Sequence, residues 1–277
     1  MNGKLASILA LLLGISQALA QEDENDIEEI TEFLIEGDVA MPRTRNAMKC
    51  TFYDCKWEKS PSGHVEVAYN ISDYFYSSEK KTIEKAMQTF HEKTCIRFVP
   101  YSKQLHYLSI ESKTGCWSLV GRTGGKQTVS LNAFSCLQHG VIQHELLHAL
   151  GFYHEHTRSD RDDHIRINWE YVSAGKKTPF KYYIKSASSD FAKRDTNNLN
   201  TPYDYSSIMH YSRYAYSTSQ SQATITPIPD PTVEIGQRNE LSDTDILRVN
   251  KLYECGECYD QGDILICYID FGIPNQG

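Results

Sequence analysis

The stretch Gln143–Ile165 reads QHELLHALGFYHEHTRSDRDDHI, and it decides how the rest of the chain is interpreted. Its first two histidines, His144 and His148, are four residues apart, so on a helix both imidazoles project from one face. Gly151 follows three residues later, where a chain leaving a helix often needs a left-handed backbone conformation. Such a turn brings His154 back as a third nitrogen donor. Three imidazoles with a fourth position left open are typical of a catalytic zinc site.

A glutamate stands beside the first of these histidines. Glu145 can face the space in front of a metal held by the pair, which is where a general base is needed. The short pattern HExxH also occurs in unrelated helices whose histidines are ordinary surface or core residues. The long form HExxHxxGxxH adds the glycine and the third histidine at fixed offsets, and it is a metzincin signature.

A second, distant element supports this interpretation. Residues 207–211 read SIMHY and resemble the methionine turn that metzincins place beneath the metal. The resemblance narrows to the astacin family, because its longer signature HExxHxxGFxHExxRxDRD is matched from His144 to Asp162. This resemblance implies an α+β, metzincin/astacin-like catalytic domain with two lobes, separated by an active-site cleft that carries the zinc helix.

The resemblance also implies roles for individual residues. The three histidines would hold one zinc ion (Zn2+) per chain, and Glu145 would be the general base for a zinc-bound water that attacks the peptide bond. Tyr211 would be a fifth zinc ligand at rest and would then hydrogen-bond the tetrahedral intermediate, although a packed tyrosine is the alternative in a chain with 18 of them. Met209 is expected to be structural, a soft apolar floor beneath the imidazoles.

Other polar residues near the motif are interpreted as structural. The remaining histidines are expected to be surface or hydrogen-bonding residues rather than ligands: His139, His156, His164 and His210. The charged residues after the third histidine are expected to form an ion-pair network that braces the turn: Arg158, Asp160, Arg161 and Asp162.

The chain of 277 residues, with a formal charge of -8, begins with a segment typical of secretion. In residues 1–20, Lys4 precedes the apolar run 9–15, and Ala-Leu-Ala at 18–20 is a small-residue cleavage site. This pattern predicts a secretory signal peptide and an extracellular product. No later stretch is apolar and long enough to span a membrane.

Residues 21–45 are predicted to be an activation pro-segment. They hold nine acidic residues and two arginines, a composition that is usually solvated. Within them, residues 35–38 read IEGD and resemble the FxGD motif of astacin pro-segments, with Ile35 in place of phenylalanine. The resemblance implies that Asp38 fills the fourth zinc position and keeps the precursor silent.

A basic site follows this motif. A protease that cuts after Arg45 would leave a processed chain beginning at Asn46. The resemblance implies that the new α-ammonium group is buried against Glu155, the residue after the third zinc ligand. A buried carboxylate needs a partner, which this cleavage would supply. Without the resemblance, Glu155 reads as an ordinary exposed acid.

Hydrophobic periodicity predicts weak strands and a helix before the zinc helix, and long irregular segments after it. The expected strands are 64–69, 95–99, 107–110 and 128–131, and the expected helices are 78–93, 140–150 and 242–253. Ser242 and Asp245 form a capping-box pattern at the start of the last helix. The catalytic domain is predicted to span residues 46–256, followed by a cysteine-containing tail at 257–277.

Eight cysteines in a secreted chain indicate disulfides, and sequence alone leaves 105 pairings open. The resemblance implies two bridges, Cys95–Cys255 and Cys116–Cys136. Cys50–Cys55 would form a local loop, as in the six-cysteine astacins of fish that include hatching enzymes, and Cys258–Cys267 would pair in the tail. Asn70 begins an NIS sequence, an acceptor for N-glycosylation.

The sequence therefore predicts a secreted zinc endopeptidase made as a zymogen, with proteolysis of an egg envelope as the expected role. A digestive or immune-tissue astacin and a non-catalytic, metal-holding binding protein are the alternatives, and the intact Glu145 disfavours the second of these. Substrates are expected to bind as extended strands along the edge of the sheet. We expect an activating protease as a partner, no nucleic-acid partner, and a monomer.

Overall fold

The computed structural model describes residues 34–40, 55–173, 190–219, 221–260 and 265–268. Within these residues the chain forms three α-helices: α1 (Ser77–Lys93), α2 (His139–Ala149) and α3 (Asp243–Leu252). The strands of the main sheet are β1 (Leu34–Ile35), β2 (Val39–Ala40), β3 (Val65–Ile71), β4 (Ile96–Pro100), β5 (Tyr107–Glu111), β6 (Cys116–Leu119) and β7 (Lys126–Leu131). Two small ribbons pair β8 (Ile165–Ile167) with β9 (Ile225–Pro227) and β10 (Glu257–Asp260) with β11 (Leu265–Tyr268).

The main sheet has the strand order β1-β2-β6-β7-β5-β3-β4 in the described part of the chain. Strands β4, β3, β5 and β7 run parallel to one another, and β6 runs antiparallel to β7. Strand β2 pairs in parallel with β6, so the segment before residue 41 extends the sheet at the β6 edge. The α+β class is confirmed.

The larger core lies between this sheet and helices α1 and α2. Helix α1 buries the apolar stripe Ile83, Met87 and Phe90, as its 3.6-residue period predicts. The helix begins where the Tyr76 N–H donates to the Glu79 carboxylate at 2.7 Å. It ends at Thr94, whose backbone is extended.

Helix α2 carries the first two histidines of the motif and is buried on nearly all sides. A helix that is buried all round belongs in a protein interior, and α2 packs against α1, β6 and β7. Its end is set by Gly151, which has φ of 107° and donates its N–H to the His148 carbonyl at 2.8 Å. The left-handed turn predicted at this glycine is therefore present.

The second lobe follows this turn and contains few regular elements. Its own smaller core is formed by six buried side chains, namely Ile165, Ile167, Phe191, Tyr203, Tyr211 and Ile225. The expected ion pairs brace its entry: Arg158 contacts Asp160 at 2.8 Å, and Arg161 contacts Asp162 at 2.7 Å. The cleft between the two cores is where the histidines meet.

The structure contains both disulfides that the resemblance implies, Cys95–Cys255 and Cys116–Cys136. Cys55 is also disulfide-bonded, but its expected partner Cys50 lies outside the described residues. In the tail ribbon the backbones of Cys258 and Cys267 are directly opposite each other. The pairing of those two cysteines stays a prediction.

Several predictions from the sequence concern residues that the structure does not describe. The signal peptide at 1–20, the cut after Arg45 and the new terminus Asn46 lie outside the described residues. Asn70 is described and is exposed on β3. Among the described helices, none has the length and apolar composition needed to cross a membrane.

Candidate metal centre and active-site cleft

The three histidines of the motif converge as the sequence predicts. His144 and His148 project from one face of α2, and the turn at Gly151 returns His154 to them. The ring centroids of the three imidazoles are 4.7–5.1 Å apart, and the Nε2 atoms of His144 and His154 are separated by 3.2 Å. All three side chains are buried.

Two of these rings are each oriented by a hydrogen bond from the Nδ1 atom, the ring nitrogen that faces away from the centre. The Nδ1–H of His144 donates to the Ile208 carbonyl at 2.8 Å, and that of His148 donates to the Phe152 carbonyl at 2.7 Å. Each Nε2 is thereby left to face the common centre. Burial lowers the pKa of His144 to about 3, so its imidazole is neutral, as a metal ligand must be.

Asp38 supplies the fourth group of this centre. One of its carboxylate oxygens lies 3.2 Å from His144 Nε2 and 3.3 Å from His154 Nε2, and the other lies 3.6 Å from His148 Nε2. Burial alone would raise the pKa of this carboxyl, but the charge of His154 and the close contacts with the three imidazoles hold it well below its usual value. Asp38 is therefore an anion pointing at three nitrogens.

These four groups fit a zinc ion. One nitrogen or oxygen atom from each lies within 4.8 Å of the others. Asp38 Oδ1 and His148 Nε2 are buried and have no hydrogen-bond partner in the described part of the chain. Buried polar atoms are rarely left unpaired, and a cation at the centre would satisfy both. Three imidazoles and a carboxylate oxygen are ligands that zinc accepts.

Glu145 lies beside this centre, and one of its carboxylate oxygens has no hydrogen-bond partner among the described residues. Its side chain is buried, and the oxygen concerned is Oε2. Burial raises the pKa of Glu145 well above its usual value, the nearby charge of Asp38 raises it further, and Arg238 opposes both. A buried carboxyl with a raised pKa is suited to accept and return a proton.

The methionine turn contacts the metal centre through Ile208, whose carbonyl accepts the hydrogen bond from His144. Met209 is buried, and its carbonyl accepts a hydrogen bond from the Glu155 N–H at 3.0 Å. The turn is held by Asp245 of α3, whose carboxylate accepts from Ser207 Oγ at 2.6 Å and from the Ile208 N–H at 2.9 Å. Helix α3 therefore sets the floor of the metal centre.

Tyr211 closes the other side of the cleft. Its ring stacks on His156 with the centroids 3.8 Å apart, and its hydroxyl donates to the Glu36 carbonyl. Burial raises the pKa of Tyr211, so the hydroxyl keeps its proton and stays a donor. The hydroxyl that the resemblance assigns to the tetrahedral intermediate is therefore occupied by the backbone of Glu36.

Glu155 is buried, so its interpretation as an ordinary exposed acid is wrong, while its pairing with the new terminus stays a prediction. Its carboxylate already accepts from both terminal nitrogens of Arg248, at 2.6 and 2.9 Å, and from the Asp204 N–H at 2.8 Å. Arg158 lies 3.4 Å away. Glu155 is therefore fully partnered before any cleavage, and an α-ammonium group would join or displace these partners.

The segment of residues 34–40 follows the edge of the main sheet as it crosses the cleft. The backbone carbonyl of Asp38 accepts a hydrogen bond from the Ser118 N–H at 2.9 Å, and Val39 and Ala40 are in register with Ser118 and Leu119 of β6. The same segment thus covers the histidines and the sheet edge where substrate was expected.

No pattern in the sequence marks four further residues of the site: Glu36, Asp190, Arg194 and Arg238. Glu36 occupies the variable position of the IEGD motif and stands in an acidic stretch, so it reads as a solvated acid. It is buried, and its contacts come from residues more than 100 positions away. Such contacts have no signal in one sequence.

Comparisons with known proteins agree with this geometry. The family model described as Astacin, a peptidase family, matches residues 54–254. The low choriolytic enzyme of Oryzias latipes is 48% identical over 278 aligned residues, covering 91% of this chain and 98% of the relative. High choriolytic enzyme 1 of the same fish is 47% identical over 271 aligned residues, covering 90% and 96%. The solved structure of that second enzyme, described as a hatching enzyme zinc-protease, superposes with a TM-score of 0.69 and 52% identity, covering 76% of this chain and 100% of that chain.

Proposed function

Because the chain belongs to the astacin family of zinc metalloendopeptidases, we propose that it is made as a secreted, latent precursor that acts on the protein coat of an egg once it is processed. The proposal of latency is supported by the position of the Asp38 carboxylate, which lies among the Nε2 atoms of the three histidines. The substrate class is proposed from the choriolytic relatives.

Latency follows from two kinds of blockage by the same segment. Asp38 fills the position that catalysis needs open, and β2 occupies the β6 edge where a peptide would bind as an extended strand. Removal of residues 21–45 would clear both at once. This is the reason to place the activating cut after Arg45.

Zinc held by His144, His148 and His154 would supply a Lewis acid and a water of lowered pKa. Glu145 takes the proton of the attacking water and returns it to the leaving amine of the substrate. With Asp38 gone, one of the causes that raise the pKa of Glu145, the nearby negative charge, is removed. Glu145 is then a stronger acid than in the precursor and ionises more readily.

Tyr211 acts on the carbonyl oxygen of the substrate. In the precursor its hydroxyl donates to a peptide carbonyl, that of Glu36. A substrate carbonyl that replaces this one would receive the same hydrogen bond as negative charge develops on its oxygen. His156, stacked on the ring, holds the hydroxyl in place.

Substrate binding uses the edge that the pro-segment leaves. The Ser118 N–H, which donates to the Asp38 carbonyl in the precursor, becomes available to a peptide main chain. The processed terminus at Asn46 is proposed to contact Glu155 beside Arg248.

The test uses the precursor with Arg43→Gln and Arg45→Gln, so that basic cleavage does not occur. Adding Asp38→Ala opens the fourth zinc position but leaves β2 on the β6 edge, so the uncut chain should hydrolyse a denatured protein slowly, whereas the parent stays silent. Adding Glu145→Ala to that variant should abolish hydrolysis while one zinc per chain is retained. An Asp38→Ala precursor as silent as its parent would show that latency has another source.

The substrate class is tested separately with processed wild-type enzyme. Isolated fish egg envelopes should release soluble peptides, and a zinc chelator should stop the release. Cleavage of denatured protein with no effect on the envelopes would instead favour the digestive or immune-tissue alternative.

A further inference from the structure

The ring of His154 differs from its two neighbours in the origin of its second hydrogen bond. His144 and His148 donate their Nδ1–H groups to carbonyls of the catalytic domain, those of Ile208 and Phe152. The Nδ1 atom of His154 lies 2.7 Å from Glu36 Oε2, and Glu36 belongs to the pro-segment. The group that orients the third zinc ligand is thus part of the segment removed on activation.

Several contacts hold Glu36 in this position. Its other carboxylate oxygen accepts from Arg194 Nε at 2.7 Å, and its N–H donates to the Asp190 carboxylate at 2.7 Å. Its carbonyl accepts from Tyr211. The side chain is 1% exposed, so the carboxylate is withheld from water and these contacts replace its hydration.

The backbone of the turn aims the two acids of the motif at one imidazole. Glu36 and Gly37 both have positive φ, 54° and 81°, between the paired strands β1 and β2. In this turn the Glu36 side chain reaches Nδ1 of His154 while the Asp38 side chain reaches its Nε2. A Cβ at Gly37 would collide with the Tyr216 hydroxyl, so a larger residue there would require Tyr216 to move.

We propose that Glu36 is a positioning residue for the zinc ligand His154, and that the precursor therefore holds zinc more tightly than the processed enzyme does. A carboxylate that accepts the second N–H of a ligating histidine fixes its ring and makes it a better donor, and loss of such a group typically weakens metal binding about 10- to 100-fold. This inference rests on the proposed zymogen, because it assigns a second task to the same segment: the pro-segment retains the ion until activation.

The test measures zinc affinity of the uncleavable precursor by competition with a chromophoric chelator. Glu36→Gln keeps the shape of the side chain and removes its charge, and it should weaken zinc binding about tenfold or more. The control Glu66→Gln changes an exposed glutamate of β3 and should leave the affinity within about threefold. Thermal unfolding of the zinc-free variants checks that the fold is unchanged.

Arg194→Met separates support of His154 from docking of the segment. It removes the other partner of the Glu36 carboxylate and leaves the contact with His154, so zinc affinity should stay within about threefold. If Glu36→Gln binds zinc as the parent does, or if Arg194→Met weakens zinc as much as Glu36→Gln, the proposal is wrong. Neither result touches the latency proposal, which depends on the activity of the Asp38→Ala precursor.

Discussion

At the scale of single residues, the buried acids of the cleft differ in how they are compensated. Glu36 is held by Arg194 and His154, Glu155 is held by two arginines and a backbone N–H, and Asp38 faces three imidazoles. Glu145 has an oxygen with no hydrogen-bond partner among the described residues. An uncompensated buried carboxylate destabilises a fold. The placement of Glu145 is therefore explained by a role in catalysis and not by a contribution to stability.

The turn after the third histidine gives a prediction about pH. A hydrogen bond from Arg158 lowers the pKa of Asp160, burial opposes it, and the arginine charge adds to the lowering. A carboxyl whose pKa is lower in the folded state stabilises the fold above its unfolded pKa, and the contribution disappears as pH falls through the folded pKa. Asp160→Asn should therefore lower the free energy of unfolding by about 1 kcal/mol at pH 7, the upper end for a partly exposed pair. This value is expected because two nitrogens of Arg158, Nε and Nη2, bind the carboxylate.

The measurement is urea unfolding of Asp160→Asn and wild type at pH 7 and at a series of values below 3.8, the ordinary pKa of the carboxyl. The difference between the two proteins should shrink towards zero as pH falls. Asp163→Asn, an exposed neighbour in the same turn, is the control. A difference that persists unchanged in acid would mean that Asp160 stabilises the turn through its shape and not its charge.

At the scale of elements, helix α3 and the methionine turn behave as one unit. The Asp245 carboxylate accepts three hydrogen bonds, from Ser207 Oγ, the Ile208 N–H and the Ser242 N–H at 3.0 Å. The capping box predicted from the sequence is present, but the same side chain also fixes the floor of the metal centre. The capping pattern predicts the Ser242 contact and gives no sign of the other two.

Asp245→Asn should therefore affect both stability and metal binding. The amide has one acceptor oxygen in place of two, so buried donors lose their partner, and about 3 kcal/mol of unfolding free energy should be lost. Asp243→Asn, in the exposed first turn of the same helix, loses only its interaction with the helix dipole and should cost less than about 1 kcal/mol. Urea midpoints and chelator competition measure the two effects, and equal losses in both variants would contradict the coupling.

The elements differ in how far they could be predicted. Helices α1, α2 and α3 were expected within two residues of their bounds, because each has a clear apolar period or cap. Strand β6, with the sequence CWSL, was missed because four residues without alternation carry too little signal. Strands β1 and β2 were missed as well, since strands of two residues exist only through their pairing, β2 with β6 and β1 with β2.

At the scale of the whole molecule, the site depends on bringing distant parts of the chain together. The histidines, the glutamate and the methionine turn were predictable because family signatures contain them. The partners of Glu36 and Glu155 were not, since Arg194 and Arg248 reach them across 158 and 93 residues. Contacts of that range depend on the packing of both lobes, which one sequence does not encode in any local pattern.

The Cys95–Cys255 disulfide is the main covalent tie of this kind. It joins the residue before β4 to the residues after α3, with a sequence separation of 160, so the second lobe lies inside its loop. Cys116–Cys136 spans 20 residues within the first lobe. In the chain-entropy model a bridge stabilises by restricting the unfolded chain, and the effect grows with the logarithm of the loop length.

Replacing both cysteines of each bridge by alanine should therefore give unequal losses. Cys95→Ala with Cys255→Ala should cost about 5 kcal/mol of unfolding free energy, and Cys116→Ala with Cys136→Ala about 3 kcal/mol. Urea unfolding of the precursor under non-reducing conditions measures both. Because the long bridge closes α3 onto the first lobe and α3 holds the methionine turn, its loss should also weaken zinc binding more than loss of the short bridge does. If the short bridge proved the more costly, local packing around the buried Cys136 would outweigh the entropy of the long loop.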